Sequence, residues 1–425
     1  MRKPLICRFI GYEHCVVFLV LLLLLGCPVP VWSVEPLTSH SEQQTAPDGG
    51  ATAPDDELPL TELSELEVTG TKEIEPSYED GSTENGYRVK SASMGALGEK
   101  SLLDTPYSIN VISSDFMENL QAQSVADALK YNPTVSSGSG ANGVGGGAGF
   151  QIRGFHTQTN ESFIDGLRIY SRTPVEDKER IEVINGPAGF LYGISNSAGV
   201  INYVLKRPTD TPLLNVTVGN YGGEQGYIHG DLGGPIDSAG KFGYRLNLLY
   251  VGDGDTGIDD QTHERYLISG AFDWHISPDT LLSMDYSLFD IQINHGDDIF
   301  KIGSDVTTIP DAPDAAKNYM PDYSFAEDRY SRFGIKLTSK LSEVFSLRSA
   351  FAYSDTNRYR HRAKVIIINN AGDYTMTRNY YDTDRLVSEG YLFLDAAFDT
   401  GPVGHKVTVG LTEEYSEIKY AYPFT

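Results

Sequence analysis

Residues 180–208 read RIEVINGPAGFLYGISNSAGVINYVLKRP, and the fold is decided here. Ile181–Ile184 and Val200–Leu205 are rich in β-branched residues, which predicts two strands. Gly186-Pro187 and the GISNSAG segment, residues 193–199, predict tight turns, where glycine supplies positive φ and proline fixes its own. The second strand runs into Lys206-Arg207-Pro208, a stop. Beyond it the pattern changes to long runs with period two. Leu282, Met284, Tyr286 and Leu288 alternate with Ser283, Asp285 and Ser287. Leu392, Leu394, Ala396 and Phe398 alternate with Phe393, Asp395, Ala397 and Asp399, and Val407, Val409 and Leu411 with Thr408, Gly410 and Thr412. One face is apolar and the other largely polar, as in a wall with lipid outside and a wet interior. A soluble β-sandwich alternates too. Runs of about 12 residues or more, after an export signal, favour the membrane wall.

Composition points the same way. The 425 residues include 26 Tyr against 2 Trp, and 43 Gly, which suits aromatic girdles and many turns better than a helical enzyme. The formal net charge is −25 without a Lys/Arg cluster, so nucleic acid is excluded as a partner. The only cysteines are Cys7, Cys15 and Cys27. Loss of a leader would leave no thiol for disulfides, zinc or nucleophilic catalysis. No Ser-His-Asp order, carboxylate pair or His cluster can be assembled, so no catalytic or metal-ligating residue is expected and the chain does not read as an enzyme.

Arg2, Lys3 and Arg8 precede the apolar run Val16–Gly26, which reads as a secretory signal spanning 1–33 with cleavage after Ser33. The rival is a lipoprotein signal with Cys27 lipidated. Residues 34–97 read as a linker, its first half rich in Pro, Ser, Thr, Gly and acids and therefore expected to be disordered. Within it, residues 65–71, ELEVTGT, form a β-prone patch.

The stretch first quoted resembles the end of the plug domain of TonB-dependent outer-membrane receptors, particularly ferric-siderophore receptors. The match runs through Glu179-Arg180-Ile181-Glu182-Val183, Gly186-Pro187-Ala188, Leu191-Tyr192-Gly193, Gly199-Val200-Ile201-Asn202 and Lys206-Arg207-Pro208. It departs at Asn185, where the family has a basic residue; if that residue locks plug to barrel through a carboxylate, the lock is missing or shifted here. The resemblance implies a mixed α+β plug at 98–208, then an antiparallel transmembrane β-barrel from 212 to 425. It implies a TonB box at Leu66, Glu67, Val68, Thr69 and Gly70, which would pair as an added strand with the energy transducer. TonB with ExbB and ExbD, a ferric siderophore, and outer-membrane lipid and lipopolysaccharide are the implied partners. The implied location is the outer membrane of a Gram-negative bacterium. No cofactor is implied, since iron travels as the chelate.

Inside the plug, Thr105–Ile112 predicts a strand. Asp115 with Glu118, and Ser124 with Asp127, predict capping-box starts for two short helices, the second ended by Asn132-Pro133. The glycine-rich run 138–149 contains G-x-G-x-x-G, but no strand–loop–helix context surrounds it, so a plain loop is the reading. Phe150–Phe155 and Phe163–Arg168 resemble the family's IRGF strand and DGxR hairpin. The segments beside them that point outward in relatives are the candidate ligand tips: Arg153, His156, Gln158 and Asn160 in one, Tyr170, Ser171 and Arg172 in the other. They mix hydroxyl, amide, aromatic and cationic groups fit to grip an oxygen-rich chelate. Residues 153–180 hold five basic and five acidic side chains, a balance that leans towards a neutral or weakly charged chelate.

Nine strands follow, at about 212–220, 222–233, 241–253, 262–276, 279–295, 329–341, 344–368, 373–399 and 405–422. The acidic loop 253–260 misses the EF-hand spacing and reads as solvated. Receptors of the resembled kind close with about 22 strands, so an incomplete barrel is expected, with open edges costly in lipid and no transport by the chain alone. Energised siderophore uptake is the leading function. A receptor for cobalamin or another scarce solute is the alternative, and a surface β enzyme or adhesin the distant one.

Overall fold

The computed structural model describes residues 80–137, 150–156, 162–193, 195, 197–296, 299–308, 310–311, 314 and 316–420. The signal segment, the linker to residue 79 with Leu66, Glu67, Val68, Thr69 and Gly70, and the glycine-rich run 138–149 lie outside these residues. So do Gln158 and Asn160.

Structure is present ahead of the expected boundary near residue 97. A turn closes at Gly81 and Arg88, and β1 (Ser91–Ser93) pairs antiparallel with β2 (Glu99–Ser101) across a 3-10 turn at Gly95–Leu97. Neither strand has an apolar pattern of its own. They are fixed by distant partners: Ser93 N–H donates to Glu182 at 3.0 Å, and Tyr192 donates to Ser93 O at 3.1 Å.

β3 (Ser108–Ser113) leads into α1 (Ser114–Asn119), then α2 (Val125–Leu129). The first helix starts earlier than its sequence suggested. Ser113 is the cap, accepting from Phe116 N–H, while the Asp115 carboxylate accepts from Thr83 N–H at 3.0 Å. The second starts as expected. Ser124 accepts from Asp127 N–H at 3.2 Å, while the Asp127 carboxylate accepts from Gln123 N–H, one residue ahead of the cap whose own N–H a strict capping box would use. Then come β4 (Val135–Ser137), β5 (Phe150–Ile152), β6 (Phe155–His156), β7 (Ser162–Ile164), β8 (Leu167–Ile169), β9 (Lys178–Asn185), α3 (Gly189–Tyr192) and β10 (Gly199–Leu205). The two strands of the opening stretch pair antiparallel, as predicted, and form the centre of a five-stranded sheet ordered β3-β9-β10-β7-β8. A core of Ile112, Leu129, Ile152, Ile164, Ile181, Val183 and Ile201 packs one side.

Gly199 has φ +145°, and a Cβ there would sit 2.3 Å from Ile184 O. Side chains rarely adopt this backbone, and the obstacle is main chain, which cannot swing aside. Gly199→Val should therefore cost roughly 1–3 kcal/mol and raise amide exchange across Ile181–Ile184 and Val200–Tyr203. Unchanged protection there would refute the assignment.

The later sheet runs β11 (Leu213–Asn220), β12 (Gly226–Pro235), β13 (Phe242–Asp255), β14 (Thr262–Ser277), β15 (Thr280–Asn294), β17 (Phe325–Lys340), β18 (Phe345–Ile367), β19 (Tyr374–Thr400) and β20 (Val403–Tyr420), each antiparallel to the next. These are the nine expected strands. The long connection also holds β16 (Ile299–Ile302), which pairs parallel with the far end of β18. Among the described residues, β11 and β20 each pair on one side only.

The two faces of this sheet are inverted relative to a soluble protein. Its solvent-facing side carries Leu214, Val216, Leu248, Phe333, Phe351, Leu392, Val409 and Leu411, all exposed. Its covered side carries His229, Asp231, Asn247, His263, Arg265, Asp273, Asp328, Arg332 and Arg360, all buried. Buried charge and exposed Leu, Val and Phe together are the reverse of ordinary burial preferences. They fit a wall whose outer side meets hydrocarbon and whose inner side meets a polar filling.

Candidate functional site

What fills the wall is the plug, and cations make the seam between them. Lys206, at the end of β10, is buried. Its ammonium donates to Glu118 and to Asp231 on β12, each at 2.9 Å. Asp231 also accepts from Arg245 Nε at 2.6 Å and Nη2 at 2.8 Å. Burial alone would pull the Lys206 ammonium down; the carboxylates of Glu118 and Asp231 outweigh it, and its pKa lies above the ordinary lysine value. Arg207 pairs with Asp273 on β14 and reaches Phe272 O at 3.1 Å. From the wall side, Arg265 pairs with Glu176 at 2.7 Å and Arg348 donates to Ala96 O at 2.8 Å. The stop signal Lys206-Arg207 is thus a pair of ties to the wall. A crevice runs along this seam between Glu118, Glu176, Lys178 and Lys206 on the plug and Tyr221, Tyr227 and His229 on the wall.

The β8 turn carries the second candidate tip. Tyr170, Ser171 and Arg172 follow β8 and sit against β17–β20. Tyr170 donates to Glu414, its carbonyl accepts from Arg358 Nη2 at 2.6 Å, and the Arg385 guanidinium lies 4.2 Å from its ring. Burial, then the Glu414 contact, pushes the Tyr170 hydroxyl up to about 12. Arg172 pairs with Asp328 at 3.5 Å, and Ser171 is buried. Arg168 pairs with Glu414 at 3.2 Å, while its backbone N–H donates to Glu389. Three expected contact residues are therefore brought together, and two of them hold the plug against the wall. Arg153 stands apart and exposed, with φ +53°. His156 is placed by its backbone in β6.

Asn185, the departure from the resembled pattern, is buried and donates to Asn110 at 3.1 Å inside the plug. Among the described residues its side chain makes no hydrogen bond to the wall. The ties lie instead at Arg168, Arg172, Lys206 and Arg207, all on the plug. Among the described residues no group of three His, Cys, Asp or Glu gathers into a metal site.

Residues 101–200 match the TonB-dependent Receptor Plug Domain family. Those residues therefore carry the plug-domain pattern of TonB-dependent receptors. The Ferrichrome receptor FcuA of Yersinia enterocolitica is 29% identical over 383 residues, covering 86% of this chain and 48% of that protein. The Metal-pseudopaline receptor CntO of Pseudomonas aeruginosa is 28% identical over 359 residues, covering 83% and 49%. In fold, the chain is similar to the crystal structure of BauA, the ferric preacinetobactin receptor from Acinetobacter baumannii: TM-score 0.72, 24% identity, 77% of this chain and 50% of that one. The chain spans about half the length of the curated relatives it matches.

Two functional features escaped sequence reading. The carboxylates that grip the second tip, Asp328 and Glu414, lie far along the chain; Tyr170 and Glu414 are 244 residues apart. The arginines beside them had a local signal. Arg358, Arg360 and Arg362 fall at period two in one strand, which puts them on one face.

Proposed function

We propose that this chain serves in energised uptake of a ferric siderophore across the outer membrane of a Gram-negative bacterium. Substrate settles over the plug from outside. The segment Leu66–Gly70 then engages TonB, and the proton-motive force relayed through ExbB and ExbD moves the plug. The reading is supported above all by the inverted sheet: an apolar exposed face, and a charged inner face closed over a plug domain of the TonB-dependent family. The names of the relatives, receptors for ferrichrome and for metal-pseudopaline, support a metal chelate as cargo. Nothing in this scheme needs covalent chemistry. Binding, charge and a mechanical step suffice, and the iron remains with its chelator.

The test is growth on a ferric siderophore as sole iron source, with full-length protein. Val68→Pro removes a backbone donor from the strand that TonB would extend. Uptake should be lost, while surface binding of the chelate stays. Growth equal to the parent, with the variant present in the membrane, would remove TonB dependence from the reading.

A further inference from the structure

We infer that His295 is a clasp between two long connections at the mouth of the wall, fastened while its ring is an imidazolium and loosened when the ring is neutral. The connections β13–β14 and β15–β17 leave the sheet at the end opposite the tight turns that join β14 to β15 and β17 to β18. The second candidate tip is at the same end, since Arg172 pairs with Asp328 near the start of β17. His295 follows directly on β15 and joins the two connections. Its N–H donates to Ser324 O at 2.8 Å. Its carbonyl accepts from Gln261 Nε2 at 3.2 Å and from Asn318 Nδ2 at 3.1 Å. Its ring lies between two main-chain oxygens, with Nδ1 2.6 Å from Asp260 O and Nε2 3.1 Å from Asp322 O. Beside it, Asp259 N–H donates to Ala316 O at 2.8 Å.

A carbonyl oxygen only accepts. A neutral imidazole has one N–H and one bare lone pair, so it satisfies one of these oxygens and turns a lone pair on the other. Only the ring with both protons donates to both. The argument rests on these two contacts and needs no tally of charge. Titratable groups on the segments packed against the ring are Asp259 and Asp260 on one connection, and Lys317, Tyr319, Asp322 and Tyr323 on the other. The three carboxylates are exposed. Lys317 lies over the Tyr319 ring, and Arg378 over that of Tyr323. His263 on β14 turns instead to Gln225 at 3.1 Å. Asp297 and Asp298, next along the chain, lie outside the described residues. The backbone is held as tightly as the ring: His295 has φ +53° and Asp260 φ +58°. Such left-handed non-glycine residues persist where their surroundings over-determine them, and they cluster at switch regions. The protonated ring makes a bond that the neutral ring lacks. The clasp therefore holds in acid and weakens as pH rises through the range, about 5 to 8, in which histidine changes charge. Resting on the uptake reading for what the mouth admits, this makes the way to the plug freer in neutral surroundings than in acid ones.

The test is amide exchange of the full-length protein in detergent at about pH 5.5 and about pH 8.5, either side of the histidine range, corrected for the intrinsic pH dependence of exchange. Protection of the bonded amides of Asp259, Gln261, His295 and Ser324 should fall about tenfold from the lower to the higher pH, the effect of one charge-assisted hydrogen bond. The centres of β14 and β15 should not change. His295→Asn removes the ring and keeps a residue at ease in left-handed backbone, so its protection should be low and flat with pH. Asp297→Asn with Asp298→Asn should keep the parent's response. Nitrogen resonances of the His295 ring should show two N–H groups at the lower pH and one at the higher. Flat protection in the parent would overturn the clasp. So would a response that survives in His295→Asn or vanishes in the double Asp variant, or a neutral ring at the lower pH. None of these measurements involves a chelate. Their failure leaves uptake standing, and failure of the growth test leaves the clasp standing.

Discussion

Replacing Asp231 by Asn should loosen the plug more than replacing Lys206 by Met, although the two residues share one ion pair. The ordering follows from what each change leaves behind. Without Lys206, Asp231 keeps both hydrogen bonds from Arg245, and Glu118, at 55% side-chain exposure, turns to water. Without the Asp231 charge, Lys206 and Arg245 face each other at 3% and 10% exposure with no shared anion between them. A buried charge stripped of its partner costs about 3–5 kcal/mol. Asp231→Asn should approach that range, and Lys206→Met should cost about 1.5–3 kcal/mol, the loss of charged hydrogen bonds alone. Amide exchange in α1 and at Leu205–Arg207, compared between the two variants, measures the difference. The reverse order would mean that Glu118, not Asp231, carries the tie. Acidity offers a second check. Lys206's pKa is raised in the folded state, so its contribution is complete below the ordinary value of 10.5 and is lost only as pH climbs through the raised one. From mildly acid to mildly alkaline solution this tie should not weaken.

The strands were legible because each announces itself locally. Period-two alternation of burial shows in β12, β13, β14, β15, β17 and β18, and the paired β9 and β10 are set off by glycines whose backbone needs them. The seam was not legible in the same way. Lys206 and Arg207 looked like punctuation because their carboxylates, Asp231 and Asp273, sit on strands that approach only after the sheet forms. Tyr170 and Arg172 looked like free loop tips for the same reason. Their chemistry reads equally as ligand grip or wall contact until Glu414 and Asp328 are beside them. Residues 80–101 gave no sign of order, since polar side chains and a three-residue strand pair have little stability of their own. Their order comes from β9 and from the wall. The arginine stripe differs: its period was visible, and it was missed because charge was counted along the plug alone.

Glu182 is the residue on which that early segment depends. It lies fully buried in the central strand β9. Its carboxylate accepts from Ser93 N–H at 3.0 Å, from Asn202 Nδ2 at 2.8 Å and from Arg180 Nε at 2.8 Å. Glu182→Leu leaves three donors facing hydrocarbon. Arg180 alone has a substitute, Glu99 at 3.5 Å, itself largely exposed. The expected loss is about 3–5 kcal/mol, read as rapid exchange at Ala92–Met94 and release of the Tyr192 contact with Ser93. Glu182→Gln keeps the shape and one acceptor, so it should cost less. Its pH dependence discriminates further. Burial pushes the Glu182 carboxyl above its ordinary 4.5, against the pull of Arg180, Asn202 and Ser93. The parent plug therefore holds a proton there that the unfolded chain releases sooner, and this contribution fades as pH rises through the raised value. Gln has no proton to lose. The deficit of Glu182→Gln should accordingly be largest in acid and narrow as pH rises. A deficit that widened instead would mean that Arg180 holds the carboxylate ionised throughout. Under the uptake reading, β1 is the first paired strand among the described residues that a pull on Leu66–Gly70 would load. Loosening Glu182 should then let the segment Ser91–Ser101 come away from the plug while Arg348 still grips Ala96 from the wall.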